Sequence, residues 1–187
     1  QFLNLGSTHE SLLQDTCRRL ESPVAPEDLY IIEAKSHELE LRHQLEQVAP
    51  HFREQQLLLE PLARNTAPAI LWGIATLPED RLQEPVMILP ADHLIRATDL
   101  FVEAMRDAAE IAQNQRIITF GIRPDRPETG YGYICAGRPL GKGFEVQRFL
   151  EKPDLATAEE LIQSPEYTWN AGFFLATGET WRREFAA

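Results

Sequence analysis

Four short polar segments follow apolar runs, and each carries groups able to meet an anion, a cation or a sugar hydroxyl. Glu60-Pro61-Leu62-Ala63-Arg64-Asn65-Thr66 offers a carboxylate, a guanidinium, an amide and a hydroxyl before a helical pattern with Pro68 near its first turn. Free N–H groups at a helix start favour an anion. A helix cap by Asn65 or Thr66 accounts for the same residues. Pro90-Ala91-Asp92-His93 sets a carboxylate directly beyond the apolar run Val86-Met87-Ile88-Leu89. That placement suits Mg²⁺, and it equally suits an Asx-turn. His93 reads as structural, since His9, His37, His43 and His51 show no metal-ligand spacing with it. The third segment runs from Arg123 to Tyr133 through Thr129, Gly130 and Gly132. Its glycines admit a ligand close to the backbone, or form a tight entry into a strand. In the fourth, Glu151-Lys152-Pro153-Asp154, the ammonium suits a phosphate and the carboxylate suits sugar hydroxyls. Isolated, the same charges read as a solvated turn. Asn170, in Trp169-Asn170-Ala171-Gly172, either binds hydroxyls or shapes a turn.

The elements around these segments alternate. Leu12, Leu13, Thr16, Cys17 and Leu20 have helical spacing, with Ser7 and Glu10 at capping-box spacing upstream. Leu29-Tyr30-Ile31-Ile32 reads as a strand, and a helix with Leu41, Leu45 and Val48 inward stops before Pro50. Leu57-Leu58-Leu59 is the next strand, followed by a helix with Ile70, Leu71, Ile74 and Ala75 inward. Val86-Met87-Ile88-Leu89 reads as a central strand buried on both faces. Phe101, Ala104, Met105, Ala108 and Ala109 mark a helix that leads to the strand Ile117-Ile118-Thr119-Phe120. Such alternation predicts a mostly parallel sheet covered by helices. Beyond it, the segments around Tyr133 and Val146 suggest a hairpin. A short helix follows Pro153 with Leu155, Ala158, Leu161 and Ile162 inward, and Ala171-Gly172-Phe173-Phe174-Leu175 forms a last strand. In an open α/β sheet, ligands bind beyond the carboxyl ends of strands, where the polar segments lie.

Composition narrows the function. The chain has 187 residues, 43% of them hydrophobic, and a formal net charge of -11. That is length enough for one domain, and too acidic for a general nucleic-acid binder. No apolar stretch approaches a membrane span of roughly 18 residues. Gln1-Phe2-Leu3-Asn4-Leu5-Gly6 lacks the basic start of a signal peptide. Cys17 and Cys135 form no CxxC, which predicts neither a disulfide framework nor a structural zinc and fits a reducing cytoplasm.

Taken in order, the segments resemble one family. The strings RNTAPA, LPADH, FGI followed by RPETGYGYI, and WNAG, together with Glu151-Lys152-Pro153-Asp154, are similar to mannose-1-phosphate guanylyltransferases among the sugar-1-phosphate nucleotidyltransferases. The resemblance covers almost the whole chain. It implies a Rossmann-like, GT-A-like α/β fold with a mixed, mostly parallel sheet, and a catalytic domain over 1–187 truncated at both ends. It implies that GTP and mannose 1-phosphate give GDP-mannose and pyrophosphate for polysaccharide synthesis. It further implies Mg²⁺ at Asp92, mannose contacts at Glu151 and Asn170, and the sugar phosphate on Lys152. The Thr129-Gly130 backbone would lie against the sugar, and Glu60, Asn65 and Thr66 would line the guanosine region. A homodimer is compatible with the resemblance.

Two family features fall outside the sequence. Gln1-Phe2-Leu3 resembles the residues that follow the family's Gly-rich triphosphate loop, and a second acidic metal ligand belongs beyond Ala187. Residues 1–187 alone are therefore expected to be inactive. The alternatives are another hexose-1-phosphate nucleotidyltransferase, or a non-catalytic sugar-nucleotide-binding or regulatory subunit of the same fold.

Overall fold

A serine starts the first helix. Ser11 caps α1 (Leu12–Leu20) by accepting from the Gln14 N–H, while the Gln14 side chain accepts from the Ser11 N–H at 2.9 Å. This reciprocal box satisfies two N–H groups that the helix leaves free. The computed structural model describes residues 1–4, 10–62 and 65–186, so the cap expected at Ser7 lies outside the described residues. After α1 come β1 (Ile31–Ala34), α2 (Glu38–Val48), β2 (Leu57–Glu60) and α3 (Thr66–Ala75). β1 begins two residues later than its apolar run. It pairs with β2 in parallel, from Ile31 opposite Leu57 to Ala34 opposite Glu60. A parallel pair needs a crossover, and α2 supplies it. Leu41, Leu45 and Val48 turn inward at helical spacing, packing on Leu13, Cys17 and Leu57. In α3, Ile70 and Ile74 are buried as expected, but Leu71 and Ala75 face solvent. Gly73, beside Ile74, lies against Ile32 of β1.

The remaining elements are β3 (Pro85–Ile88), α4 (Thr98–Ala112), β4 (Ile118–Ile122), β5 (Tyr133–Leu140), β6 (Gly143–Leu150), α5 (Leu155–Leu161), β7 (Tyr167–Thr177) and α6 (Gly178–Ala186). The predicted hairpin is β5–β6, turning at Gly141, whose φ of 59° suits a residue without Cβ. A five-stranded sheet is built around β7, which is antiparallel to β3, β4 and β5. The α/β architecture with a mixed sheet is thus present. The balance of pairings departs from the mostly parallel expectation, because β1–β2 is the one parallel pairing among the described residues. β3 and β4 do run in the same direction, as a helical crossover requires, but β7 lies between them and opposes both. β3 is accordingly not a central strand: it pairs with β7 alone among the described residues, and Val86, Met87 and Ile88 are half-buried. Ala104 and Leu155, predicted inward, are exposed, while Ala108, Ala158 and Leu161 are buried.

Two units partition the chain. One comprises Gln1–Leu82, Pro90–Ala104 and Trp181–Ala187, the other Gln83–Leu89 and Met105–Thr180. In the second, Ala108 and Ala112 of α4 pack on Leu175, and Ala158 and Leu161 of α5 pack on Tyr133 and Trp169.

Candidate functional site

Strand register assembles the second unit's candidate residues. Tyr133 lies opposite Leu150 on one side and Trp169 on the other, and Asn170 lies opposite Gly121. One residue further along each strand, Glu151, Gly132, Asn170 and Gly121 therefore form one row across β6, β5, β7 and β4. The Asn170 N–H donates to the Gly132 carbonyl at 2.8 Å, which extends the pairing to that row. Opposed residues of antiparallel strands share a face. Glu151 and Asn170 thus project from one face about two strand spacings apart, roughly 10 Å. Trp169 and Tyr133 occupy the opposite face, under α5. A Cβ on Gly132 would lie 2.8 Å from Phe149 Cζ and 3.1 Å from Glu151 Oε2. Glycine is required there by a phenyl ring and a carboxylate of the chain itself, so the open approach expected over Gly132 is filled by Phe149 and Glu151.

Asn170 is held from below. Its Oδ1 accepts from Thr119 Oγ1 at 2.9 Å and from the Gly172 N–H at 3.1 Å. Around it β7 carries extra residues against β4, where pairing jumps from Thr119–Phe174 to Gly121–Asn170. A bulge of this kind re-aims a side chain. Gly172, at φ 71°, closes it, which explains the glycine that ends the tetrapeptide.

Lys152 has φ 45°, an unfavourable conformation for a residue with a Cβ, and its ammonium stands 3.5 Å from Glu151 Oε1. Asp154 is the N-cap of α5, accepting from the Thr157 N–H at 2.8 Å. That hydrogen bond, with the Thr157 hydroxyl, holds the Asp154 carboxyl below its ordinary value. Thr129 and Gly130 are exposed, and the Gly130 N–H donates to Glu128 Oε1 at 3.0 Å. The Gly130 amide is therefore engaged within the loop. Tyr133 Oη also donates to the Glu128 carbonyl, at 3.0 Å. The Arg126 guanidinium lies 5.2 Å from the centre of the Trp169 ring, fastening the loop to β7.

Glu60, Asn65, Thr66 and Asp92 belong to the first unit. Glu60 is the last residue of β2, level with Ala34 at the carboxyl ends of both strands. Ala63 and Arg64 lie outside the described residues. Asn65 occupies the N-cap position of α3 without making a side-chain cap bond. Its φ of 69° and ψ of -173° fall in a region nearly reserved for glycine. Among the described residues the non-glycine positions with positive φ are Asn65, Gln115 and Lys152. Gln115 follows α4 just past its end, where left-handed residues are ordinary, and the other two are candidate site residues. Ala91 packs on the core of α1, α2 and β2 and so ties down the loop that carries Asp92.

Asp92 is 59% exposed, and its Oδ1 lies 3.0 Å from His93 Nδ1. The structural histidine is thus the aspartate's neighbour, and the bond is to a ring rather than the backbone bond of an Asx-turn. Oδ2 has no partner among the described residues. No group of three or more His, Cys, Asp or Glu side chains that could hold a metal ion occurs among the described residues. Asp92 by itself fits Mg²⁺, which takes one or two carboxylates and completes its shell with substrate phosphates and water.

Thr119, Glu128 and Phe149 were not singled out by sequence reasoning. A lone hydroxyl in the apolar strand Ile117-Ile118-Thr119-Phe120 was the available signal for the first. The other two depend on loop and cross-strand geometry.

Comparison with known proteins bears on this arrangement. The nucleotidyl transferase family model matches residues 1–184. Xanthan biosynthesis protein XanB of Xanthomonas campestris is 42% identical over 175 residues, covering 94% of this chain and 36% of the relative. A mannose-1-phosphate guanylyltransferase of Escherichia coli is 41% identical, covering 94% of this chain and 37% of the relative. The chain therefore spans little more than a third of these curated relatives. Among solved structures, a Thermus thermophilus protein named mannose-1-phosphate geranyltransferase superposes with a TM-score of 0.82 at 36% identity, over 94% of this chain and 50% of the other. A Helicobacter pylori protein named mannose-6-phosphate isomerase superposes at 0.84 with 30% identity, over 99% of this chain and 68% of the other.

Proposed function

The chain belongs to the nucleotidyl transferase family, and we propose that within it the protein transfers GMP from GTP to mannose 1-phosphate. The observation that carries this reading is the row Glu151–Gly132–Asn170, with Lys152 at its end. A carboxylate acceptor and an amide donor on one face suit the hydroxyls of a hexose, and an adjacent ammonium suits its phosphate. The choice of mannose and guanine rests on the relatives named for that reaction.

In the reaction a phosphate oxygen of the sugar attacks the α-phosphorus of GTP, the bond from that phosphorus to the β-phosphate oxygen breaks, and pyrophosphate leaves. The attacking oxygen is already anionic, so no general base is needed. Catalysis is alignment and charge neutralisation. Lys152 holds the sugar phosphate, while Glu151 and Asn170 fix the ring that carries it. Asn65 and Thr66 lie at the start of α3, whose free N–H groups favour an anion, and with Glu60 they form the nucleotide side. Asp92 would hold Mg²⁺, which when bound neutralises charge on the phosphates.

The test is pyrophosphate release by the full-length protein with four nucleoside triphosphates and with mannose or glucose 1-phosphate. GTP with mannose 1-phosphate should be fastest. A clear preference for dTTP or for glucose 1-phosphate would overturn the assignment.

A further inference from the structure

We propose that Thr119 is a positioning residue that makes Asn170 a donor-only contact for the sugar. This deepens the reading above and rests on it. A backbone N–H can only donate, so the bond from Gly172 fixes the Asn170 oxygen, not its nitrogen, on that side. The Thr119 hydroxyl donates to the same oxygen at 2.9 Å and takes its second lone pair. Both acceptor sites of the amide are then filled by the chain. The two Nδ2 hydrogens remain, and among the described residues nothing accepts either. Asn170 is half-buried, and Gly121 opposite it brings no side chain to that row. A ligand atom reaching Asn170 must therefore be an acceptor, whereas a sugar hydroxyl reaching the Glu151 carboxylate in the same row donates. A pair of sugar hydroxyls is held in one sense, the first donating to Glu151 and the second accepting from Asn170.

Without the Thr119 hydroxyl, one lone pair of Asn170 Oδ1 is released, and the amide both loses a hinge and becomes able to accept. Thr119→Val keeps the side-chain shape and removes the hydroxyl; Thr119→Ser keeps the hydroxyl. In the full-length protein, Thr119→Val should raise KM for mannose 1-phosphate about fivefold to tenfold, the effect of one neutral hydrogen bond. KM for GTP and kcat should hold, and Thr119→Ser should restore KM. Combined with Asn170→Ala, Thr119→Val should add nothing, because it acts through the residue removed. The Asn170 side-chain NH₂ resonances, read by NMR without any substrate, should shift or broaden in Thr119→Val and stay in place in Thr119→Ser. If Asn170→Ala leaves the sugar KM unchanged, the sugar-binding role of Asn170 fails. If Asn170→Ala raises it while Thr119→Val changes neither KM nor the NH₂ resonances, the role of Thr119 fails alone.

Discussion

The candidate residues of the two units are held in different ways. In the second unit, Asn170 is fixed by two hydrogen bonds, Glu151 lies against Gly132, and the loop of Glu128 is fastened to β7 through Arg126 and Trp169. In the first, Thr66 and Asp92 stand exposed, Asn65 makes no cap bond, and Asp92 is held by one neighbouring imidazole. Register and a bulge organise one set within the chain itself; under the proposed function the other would be organised by the phosphates and metal it meets. A neutral sugar ring offers weak, directional hydrogen bonds and needs prepaid geometry, whereas a triphosphate with a divalent ion supplies strong charge of its own.

The largest expected effect tests the exposed set. Asp92→Asn is nearly isosteric and keeps a hydrogen-bond acceptor for His93, but removes the anion. Turnover of the full-length protein should fall by about 10²–10³ with the thermal midpoint unchanged. Near-normal turnover at saturating Mg²⁺ would show that Asp92 only shapes its loop. Next comes the preorganised set. Glu151→Gln should raise KM for mannose 1-phosphate about 10-fold to 100-fold, the scale of a hydrogen bond to a charged group. KM for GTP should not move; equal loss for both substrates would erase the distinction between the two sets.

A smaller effect probes strain, which both sets share. Asn65→Gly and Lys152→Gly relieve an unfavourable backbone, so each should stabilise the fold by about 1 kcal/mol, or about 2–4 °C in Tm. Lys152→Gly should also lose affinity for the sugar phosphate. A lower Tm in either variant would mean that these conformations are not strained. The smallest expected signal is an absence. Cys17 is buried in the first unit and Cys135 in the second, and burial pushes the Cys17 thiol up to about 11. With so little thiolate at pH 8, Cys17 should not react with an alkylating reagent in the native protein, and mass spectrometry after a timed exposure checks this. Fast labelling of Cys17 with Cys135 protected would show that the first unit opens more readily.

Much of this arrangement was legible from residue order. Leu41, Leu45 and Val48 announced the buried face of α2 because helical periodicity is local. The glycine hairpin β5–β6 and the alternation from β1 to β4 were equally plain. The strings around Asp92, Glu151 and Asn170 carried the resemblance to the family whose model matches residues 1–184. What stayed hidden was whatever depends on distant partners. The apolar run at Val86 looked central, yet its neighbour is β7, about 90 positions further on, and strand choice follows total packing rather than local pattern. α1 is capped by Ser11, which the local pattern did not single out, while the cap expected at Ser7 lies outside the described residues.

The sequence by itself determined which elements form and which chemical groups the protein can present, because propensity, periodicity and side-chain chemistry are properties of neighbours in the chain. Only the tertiary structure decided that β7 separates β3 from β4, that Phe149 fills the space over Gly132, that Asn65 and Lys152 take glycine-like backbone angles, and that the Asn170 amide oxygen accepts from both Thr119 and the Gly172 N–H. The first and second of these are set by pairing registers between segments far apart in sequence, and no local energy term specifies such a contact in advance.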